Sequence, residues 1–439
     1  MVEDDKEQFY GREVILFRDD HSFECDLRPG VIKLDNNRYQ CSRCATKFDH
    51  QSGLLPRNEA YCRNCIQLGR ISSLVNLGTI SEPNKFKKGV DYLAWQGQLT
   101  NAQQRCSRNI IESINQQNNR LLWAVTGAGK TEMLFEGVAH ALKLGHRVCI
   151  ASPRVDVCIE LFPRLQAAFP GLEIVLLHGK TEMKYRYCQL TICTTHQLLR
   201  FQEAFDLLIV DEVDAFPLAG DGALHFAIHK ARKLRGTTIY LTATPDQKLL
   251  NDVKNGDLSV SYLPRRFHGF ELPEIMVKLS FGWEKKINKG YLFPVLRRFL
   301  QLQKSNKRRF LIFVPRIRQL PLIHNAISKK FPELKIETVH SKDPQRHEKV
   351  QLMRSGEVDG LLTTTILERG VTLPKIDILI IGSDDNIYSS AALVQIAGRA
   401  GRSKERPDGN VWAACEVRTK QINTAIAQIK KMNRMKVED

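Results

Sequence analysis

Ala124-Val-Thr-Gly-Ala-Gly-Lys-Thr-Glu-Met-Leu134 sets two glycines, a lysine and a threonine between an apolar run and a stretch of helical periodicity. The run Arg120-Leu-Leu-Trp-Ala-Val125 reads as a strand, and Met133, Leu134, Val138, Ala141 and Leu142 recur at the spacing of one helix face. Strand, tight turn and helix together are the context that a phosphate-binding loop requires. Gly127 and Gly129 lack Cβ, so the backbone can wind closely around a polyphosphate and aim its N–H groups at the oxygens. The start of the following helix adds positive partial charge. In such a loop Thr126, Gly127, Ala128, Gly129, Lys130 and Thr131 cradle the nucleotide, with Lys130 reaching the β and γ phosphates and the Thr131 hydroxyl ligating Mg²⁺. One position departs from the GxxxxGK[ST] pattern: Ala124 stands where the first glycine would be.

Sixty-five Lys and Arg against 48 Asp and Glu give the 439 residues a formal net charge of +17. That excess favours a polyanionic partner, nucleic acid first and an anionic membrane surface second. An apolar fraction of 43% and a charged fraction of 26% are those of a globular protein, long enough for two or three domains. The acidic start Met1-Val-Glu-Asp-Asp-Lys-Glu-Gln8 lacks the order of a secretory signal. No run approaches the roughly 18 apolar residues of a membrane span. A cytoplasmic location is therefore expected, with peripheral association at the membrane left open, and the eleven cysteines read as thiols or metal ligands.

Cys41-Ser-Arg-Cys44 and Cys62-Arg-Asn-Cys65 form two CxxC knuckles separated by 17 residues. Tetrahedral Zn²⁺ takes four thiolates, and each knuckle supplies two from one turn, so Cys41, Cys44, Cys62 and Cys65 are the candidate zinc ligands. Arg38, Arg43, Lys47, Arg57, Arg63 and Arg70 crowd this module. They read equally as phosphate contacts or as a solvated face.

The organisation follows from these signals: residues 1–37 as an N-terminal extension, 38–70 as the zinc-binding module, 90–262 as a first α/β domain, 263–287 as a linker and 288–439 as a second α/β domain. Both domains alternate apolar runs with helix-like stretches, the pattern of βαβ units and a parallel sheet. The runs are Arg147–Ala151, Glu173–Leu177, Leu190–Cys193, Leu207–Val210 and Thr238–Leu241, then Phe310–Val314, Lys335–Val339, Gly360–Thr363 and Ile376–Ile381. Two such domains in tandem leave a cleft between them.

Leu208-Ile-Val-Asp-Glu-Val-Asp214 ends a buried strand in carboxylates. Asp211 is placed to hold Mg²⁺, and Glu212 to orient and deprotonate the attacking water. Downstream, Gln395-Ile-Ala-Gly-Arg-Ala-Gly-Arg402 carries Arg399 and Arg402 three residues apart, which on a helix would share one face. Guanidinium groups suit the spread charge of a transferring phosphoryl group, so both are candidate arginine fingers.

The order of these motifs resembles superfamily 2 helicases: Gln103 in Leu99-Thr-Asn-Ala-Gln103, then TGAGKT, DEVD, Thr242-Ala-Thr-Pro245, Thr363-Thr-Thr-Ile-Leu-Glu-Arg-Gly370 and QIAGRAGR. The resemblance covers about 90–405 and implies two tandem RecA-like parallel-sheet domains. It implies that Gln103 reads adenine, that Gly370 lies near the nucleotide, and that Thr242, Thr244 and Gln395 couple the ATP site to the strand. Pro153, Arg154, Thr194 and Thr195, with Arg316, Thr364 and Thr365, would line the track of a nucleic-acid backbone. Residues of those types grip phosphates without reading bases. ATP binding and hydrolysis would close and open the cleft and step the two grips along the strand.

A four-cysteine module ahead of such a core, with DEVDAFP and LTATP, looks like the ComFA family, ATPases of DNA uptake in naturally transformable Gram-positive bacteria. The resemblance implies a single-stranded DNA motor using ATP, Mg²⁺ and Zn²⁺, in the company of a ComFC-type protein and other transformation proteins, with duplex DNA a further possible substrate. Two other readings stay open from the residues: a general duplex-unwinding DNA or RNA helicase, and a non-catalytic zinc-bearing DNA-binding adaptor.

Overall fold

The computed structural model describes residues 6–20, 24–35, 37–179, 185–368, 373–403, 405–406 and 409–435. They form two compact units, one of residues 1–123 with 131–262 and one of residues 124–130 with 263–439.

The first unit is built on a seven-stranded sheet: β1 (Arg120–Ala124), β2 (Val148–Ser152), β3 (Ile174–Leu177), β4 (Leu190–Thr194), β5 (Phe205–Val210), β6 (Arg232–Thr242) and β7 (Ser259–Leu263). Their order across the sheet is β3-β4-β2-β5-β6-β1-β7. The neighbours from β3 through β1 pair in parallel. β1 to β4 are buried at every position, which is why they read as continuous apolar runs. β6 starts six residues earlier than its apolar stretch, because Arg232 also pairs with Phe205 across a register shift. β7 was not legible as a strand: Ser-Val-Ser-Tyr-Leu is a half-polar edge.

Residues 14–79 fold into three small antiparallel sheets, Val14–Phe17 with Val75–Thr79 and Asp26–Pro29, Val31–Lys33 with Arg38–Cys41 and Lys47–Asp49, and Leu54–Leu55 with Glu59–Cys62 and Ile71–Ser72. Strands of two to five residues are too short to show a period. This N-terminal region is fastened to the large sheet through buried charges. Lys230, at the end of helix Gly222–Ala231, donates to the Glu13 carboxylate and to the carbonyls of Arg43 and Leu199, both at 2.9 Å. Arg28 pairs with the same carboxylate. Arg147, fully buried before β2, donates to the Tyr10 carbonyl at 2.9 Å, to Glu82 and to the Tyr185 hydroxyl at 2.7 Å. Burial pushes the Lys230 ammonium well down, aided by the Arg28 and Arg43 guanidiniums. Glu13→Leu leaves the buried Lys230 without its carboxylate partner and is expected to cost about 3–5 kcal/mol in chemical denaturation.

The second unit carries a six-stranded, wholly parallel sheet: β8 (Ile275–Leu279), β9 (Arg309–Phe313), β10 (Ile336–Val339), β11 (Gly360–Thr363), β12 (Ile376–Ile381) and β13 (Val411–Cys415), in the order β8-β13-β12-β9-β11-β10. The stretch 263–287 thus holds an edge strand and the start of helix Trp283–Asn288, besides its run of helix breakers. Phe293, Phe299, Phe310, Ile312, Leu362 and Leu379 lie in the core. Ile422, Ile429 and Met432 of the last helix, Lys420–Arg434, are buried as an apolar stripe should be, and this helix packs on Ser390–Ala397. Among the described residues no helix is long and apolar enough to cross a membrane.

Candidate functional site

β1 ends at Ala124, whose extended backbone needs no glycine, and this accounts for the departure from the phosphate-loop pattern. The turn that follows does need them: Gly127 has φ +82° and Gly129 φ +72°. Thr131 leads into a single 3₁₀ turn, Glu132–Leu134, and then helix Phe135–Lys143, with Met133, Leu134, Val138, Ala141 and Leu142 all buried. The loop 124–130 packs with the second unit. There the Val125 N–H donates to the Leu263 carbonyl at 3.0 Å, the Phe267 N–H to the Gly127 carbonyl at 3.0 Å, and the Thr126 hydroxyl to Gln395 Oε1 at 3.2 Å. A Cβ on Gly127 would lie 3.8 Å from Arg402 Nε and 3.9 Å from Arg266 Cγ.

Arg266 is a site residue that sequence reasoning missed, hidden among the breakers of 263–273. It is buried, and Nη2 donates to the Gly398 carbonyl at 3.3 Å. Burial lowers its guanidinium to about 10, still a cation at neutral pH.

In the first unit the acidic strand end is tightly organised. Asp211 receives the Glu212 N–H at 2.8 Å, and Glu212 itself sits at φ +53°, a left-handed conformation that costs of order 1–3 kcal/mol and marks an over-determined position. Asp214 was not singled out by the sequence reading, yet it joins the two motifs. Its Oδ1 accepts from Thr242 Oγ1 at 2.6 Å and its Oδ2 from Thr244 Oγ1, while the Thr244 N–H donates to Thr242 Oγ1 at 2.9 Å. The turn after β5 and the turn after β6 therefore move as one piece. Gln103 is buried in helix Asn101–Gln116, where Oε1 accepts from the Thr100 N–H at 2.9 Å and from its hydroxyl at 3.1 Å. Leu99-Thr-Asn-Ala-Gln103 is thus a reciprocal capping box.

Arg399 and Arg402 do not share a helix face. The helix stops at Ala397, Gly401 turns left-handed at φ +75°, and Arg402 follows at φ +53°. Arg399 is buried and donates to the Glu368 carbonyl at 2.7 Å, and Arg402 to that of Gly398 at 3.0 Å. Gly398 keeps a helical backbone as the cap, and the left-handed turn comes at Gly401. Gly370 lies outside the described residues.

The residues expected along a nucleic-acid track divide. Thr194 and Thr195 are buried, Thr195 fully, so neither presents its hydroxyl on the surface. Pro153 is buried beside Arg154, whose guanidinium makes a two-point pair with Asp156 at 3.0 and 3.1 Å. Arg316 is exposed and paired with Asp385 at 2.7 Å. Thr364 is buried at the start of a 3₁₀ turn, and Thr365 is half-buried.

The four knuckle cysteines converge. All are buried, their sulfurs lie within 4.8 Å of one another, and the closest pairs are Cys44–Cys62 at 3.6 Å and Cys41–Cys65 at 3.8 Å. Four thiolates about 2.3 Å from one tetrahedral ion stand about 3.8 Å apart, so the donor set fits Zn²⁺. Arg43, inside the first knuckle, donates to the carbonyls of Leu68 and Gly69 at 3.1 and 3.2 Å, tying it to the second.

Three family models match the chain. Residues 20–79 match the competence protein ComFA N-terminal domain, 96–247 the res subunit of type III restriction enzymes, and 292–404 the helicase conserved C-terminal domain. The chain is 42% identical to competence protein ComFA of Bacillus subtilis over 428 residues, covering 95% of this chain and 91% of that protein. It is 38% identical to competence protein ComFA of Streptococcus pneumoniae, covering 92% of each. Among solved structures, Mycobacterium smegmatis helicase Lhr bound to ssDNA and AMP-PNP superposes with a TM-score of 0.57 at 18% identity, over 76% of this chain and 48% of that one. S. cerevisiae Dbp5 bound to RNA and ADP BeF3 gives 0.55 at 14%, over 77% and 88%. At such identities these two establish the fold alone, tandem RecA-like domains.

Proposed function

The chain belongs to the ComFA family of competence proteins, and from that premise we propose that it is an ATP-driven motor that translocates single-stranded DNA during natural transformation. The observation that carries the reading is the clasp of Thr242 and Thr244 on Asp214, three residues from Asp211. A binding adaptor has no need of a rigid link between a catalytic carboxylate turn and a neighbouring strand end.

In this reading Gln103 recognises adenine, and Thr126 to Thr131 hold the phosphates of the nucleotide with Lys130 on the β and γ groups. Thr131 and Asp211 would hold Mg²⁺, which when bound neutralises charge on those phosphates. Glu212 takes the proton of the attacking water, and Arg399 and Arg402 stabilise charge on the transferring phosphoryl group. Gly370 completes the nucleotide contacts. Thr242, Thr244 and Gln395 relay the state of the site to DNA-gripping residues, for which Arg154, Arg316, Thr364 and Thr365 remain the candidates. Arg154 and Arg316 would have to exchange Asp156 and Asp385 for phosphates. Zn²⁺ on Cys41, Cys44, Cys62 and Cys65 crosslinks the two knuckles. A ComFC-type protein and other transformation proteins are the expected partners, acting at the inner face of the membrane.

Steady-state hydrolysis at one fixed salt concentration, without nucleic acid and with single-stranded DNA, duplex DNA or RNA, tests the reading. Stimulation by single-stranded DNA above the others is expected. Equal stimulation by RNA would replace it with a general helicase, and no hydrolysis under any condition would replace it with an adaptor.

A further inference from the structure

Phe216 is 85% exposed, the most exposed large apolar side chain among the described residues, and it follows Glu212 by four positions. An aromatic ring in water beside a catalytic turn is costly unless it has a use. It lines a groove of about 620 Å³ together with Pro217, the start of helix Gly222–Ala231, and Cys44, Ala45, Thr46 and Asn64 of the four-cysteine module. In the module Asn64 Nδ2 donates to Thr46 Oγ1 at 3.0 Å, and their chain neighbours Arg63 and Lys47 are exposed cations. The one carboxylate lining the groove, Asp221, is turned onto its own helix, accepting from the N–H groups of Ala223 and Leu224 at 2.9 and 3.2 Å.

We propose that this groove holds single-stranded DNA, with one base stacked on Phe216 and the backbone phosphates drawn to Lys47 and Arg63, the exposed cations next in sequence to its lining residues. An aromatic face with nearby cations and no base-reading pair is the chemistry of sequence-tolerant single-strand binding. The position also supplies a route by which DNA is sensed. The Ala215 N–H donates to the Glu212 carbonyl at 2.8 Å, so the ring and the carboxylate belong to one turn, which Asp214 fixes to Thr242 and Thr244. A base that orders Phe216 orders Glu212 with it. The inference rests on the motor reading and extends it to the role of the cysteine module.

The test uses the full chain and an oligothymidylate carrying one 2-aminopurine, whose fluorescence falls on stacking. The natural protein is expected to quench it, and Phe216→Ala to lose the quench and to bind the oligonucleotide about tenfold more weakly. Phe216→Trp should restore both. Because the side chain is exposed, all three proteins should melt alike. DNA-stimulated hydrolysis in the natural protein together with unchanged quench and affinity in Phe216→Ala would overturn this inference and leave the motor reading standing. Absence of DNA-stimulated hydrolysis in the natural protein would overturn both.

Discussion

Lys130→Ala is expected to lower ATP turnover by about a hundred- to a thousandfold while single-stranded DNA is retained. Gly127 and Gly129, at φ +82° and +72°, still offer backbone N–H groups to the phosphates when the ammonium is gone, so nucleotide binding should weaken less than turnover falls. The loss should sit mainly in kcat, because charge on the bridging oxygen grows toward the transition state and only then needs the cation most. Phosphate release at saturating ATP checks the first half, and fluorescence anisotropy of a labelled oligonucleotide checks the second. Retained turnover would sink the assignment of 126–131. Loss of DNA binding alongside turnover would instead mean that the loop supports the grip directly. Glu212→Gln gives a useful contrast, since it keeps shape and removes the base: nucleotide should bind normally and hydrolysis should fall by about a hundredfold or more.

The central architecture could be read because its signals are covalent to its causes. β1 to β4 are buried at every position, and their sequences are correspondingly apolar apart from Arg120, Ser152, Thr191 and Thr194. Gly127 and Gly129 stand at positive φ, and the cysteine pairs converge because four thiols in two short turns have one sensible common use. What stayed hidden lies at edges and in partnerships. β7 and β8 flank their sheets, and half-exposed strands of five residues look like loops. Asp214 gained its role from a contact with Thr242 and Thr244 that no spacing announces. Arg399 and Arg402 stand at a helical spacing of three, but the helix ends at Ala397 and the chain turns left-handed at Gly401 before Arg402. Thr195 shows what spacing leaves out: its place at a strand end says nothing of burial, and it is fully buried.

Removing the metal from the cysteine module should have the largest effect on stability. Residues 31–72 are held by strands of two to four residues, and their buried apolar side chains beyond the cysteines, among them Tyr39, Ala60 and Ile71, are too few for a self-sufficient core. Structural zinc in comparable small modules contributes an apparent 10–16 kcal/mol. Metal analysis of the purified chain should therefore find one zinc per molecule, and Cys44→Ser or Cys62→Ser should lose it and unfold the module. The damage should not stop there. The Arg43 carbonyl accepts from Lys230 on helix Gly222–Ala231, and Arg28 shares Glu13 with that lysine, so a displaced knuckle leaves a buried ammonium short of an acceptor inside the first unit. Hydrogen exchange should accordingly rise in two places, across 38–72 and at the C-terminal end of Gly222–Ala231, while β9 to β12 of the second unit stay protected. A cysteine variant that lost zinc yet kept both regions protected would show that the knuckles are folded by their own packing. A variant that loosened 38–72 alone would show that the Glu13, Arg28 and Lys230 cluster carries no coupling between the module and the sheet that bears Asp211.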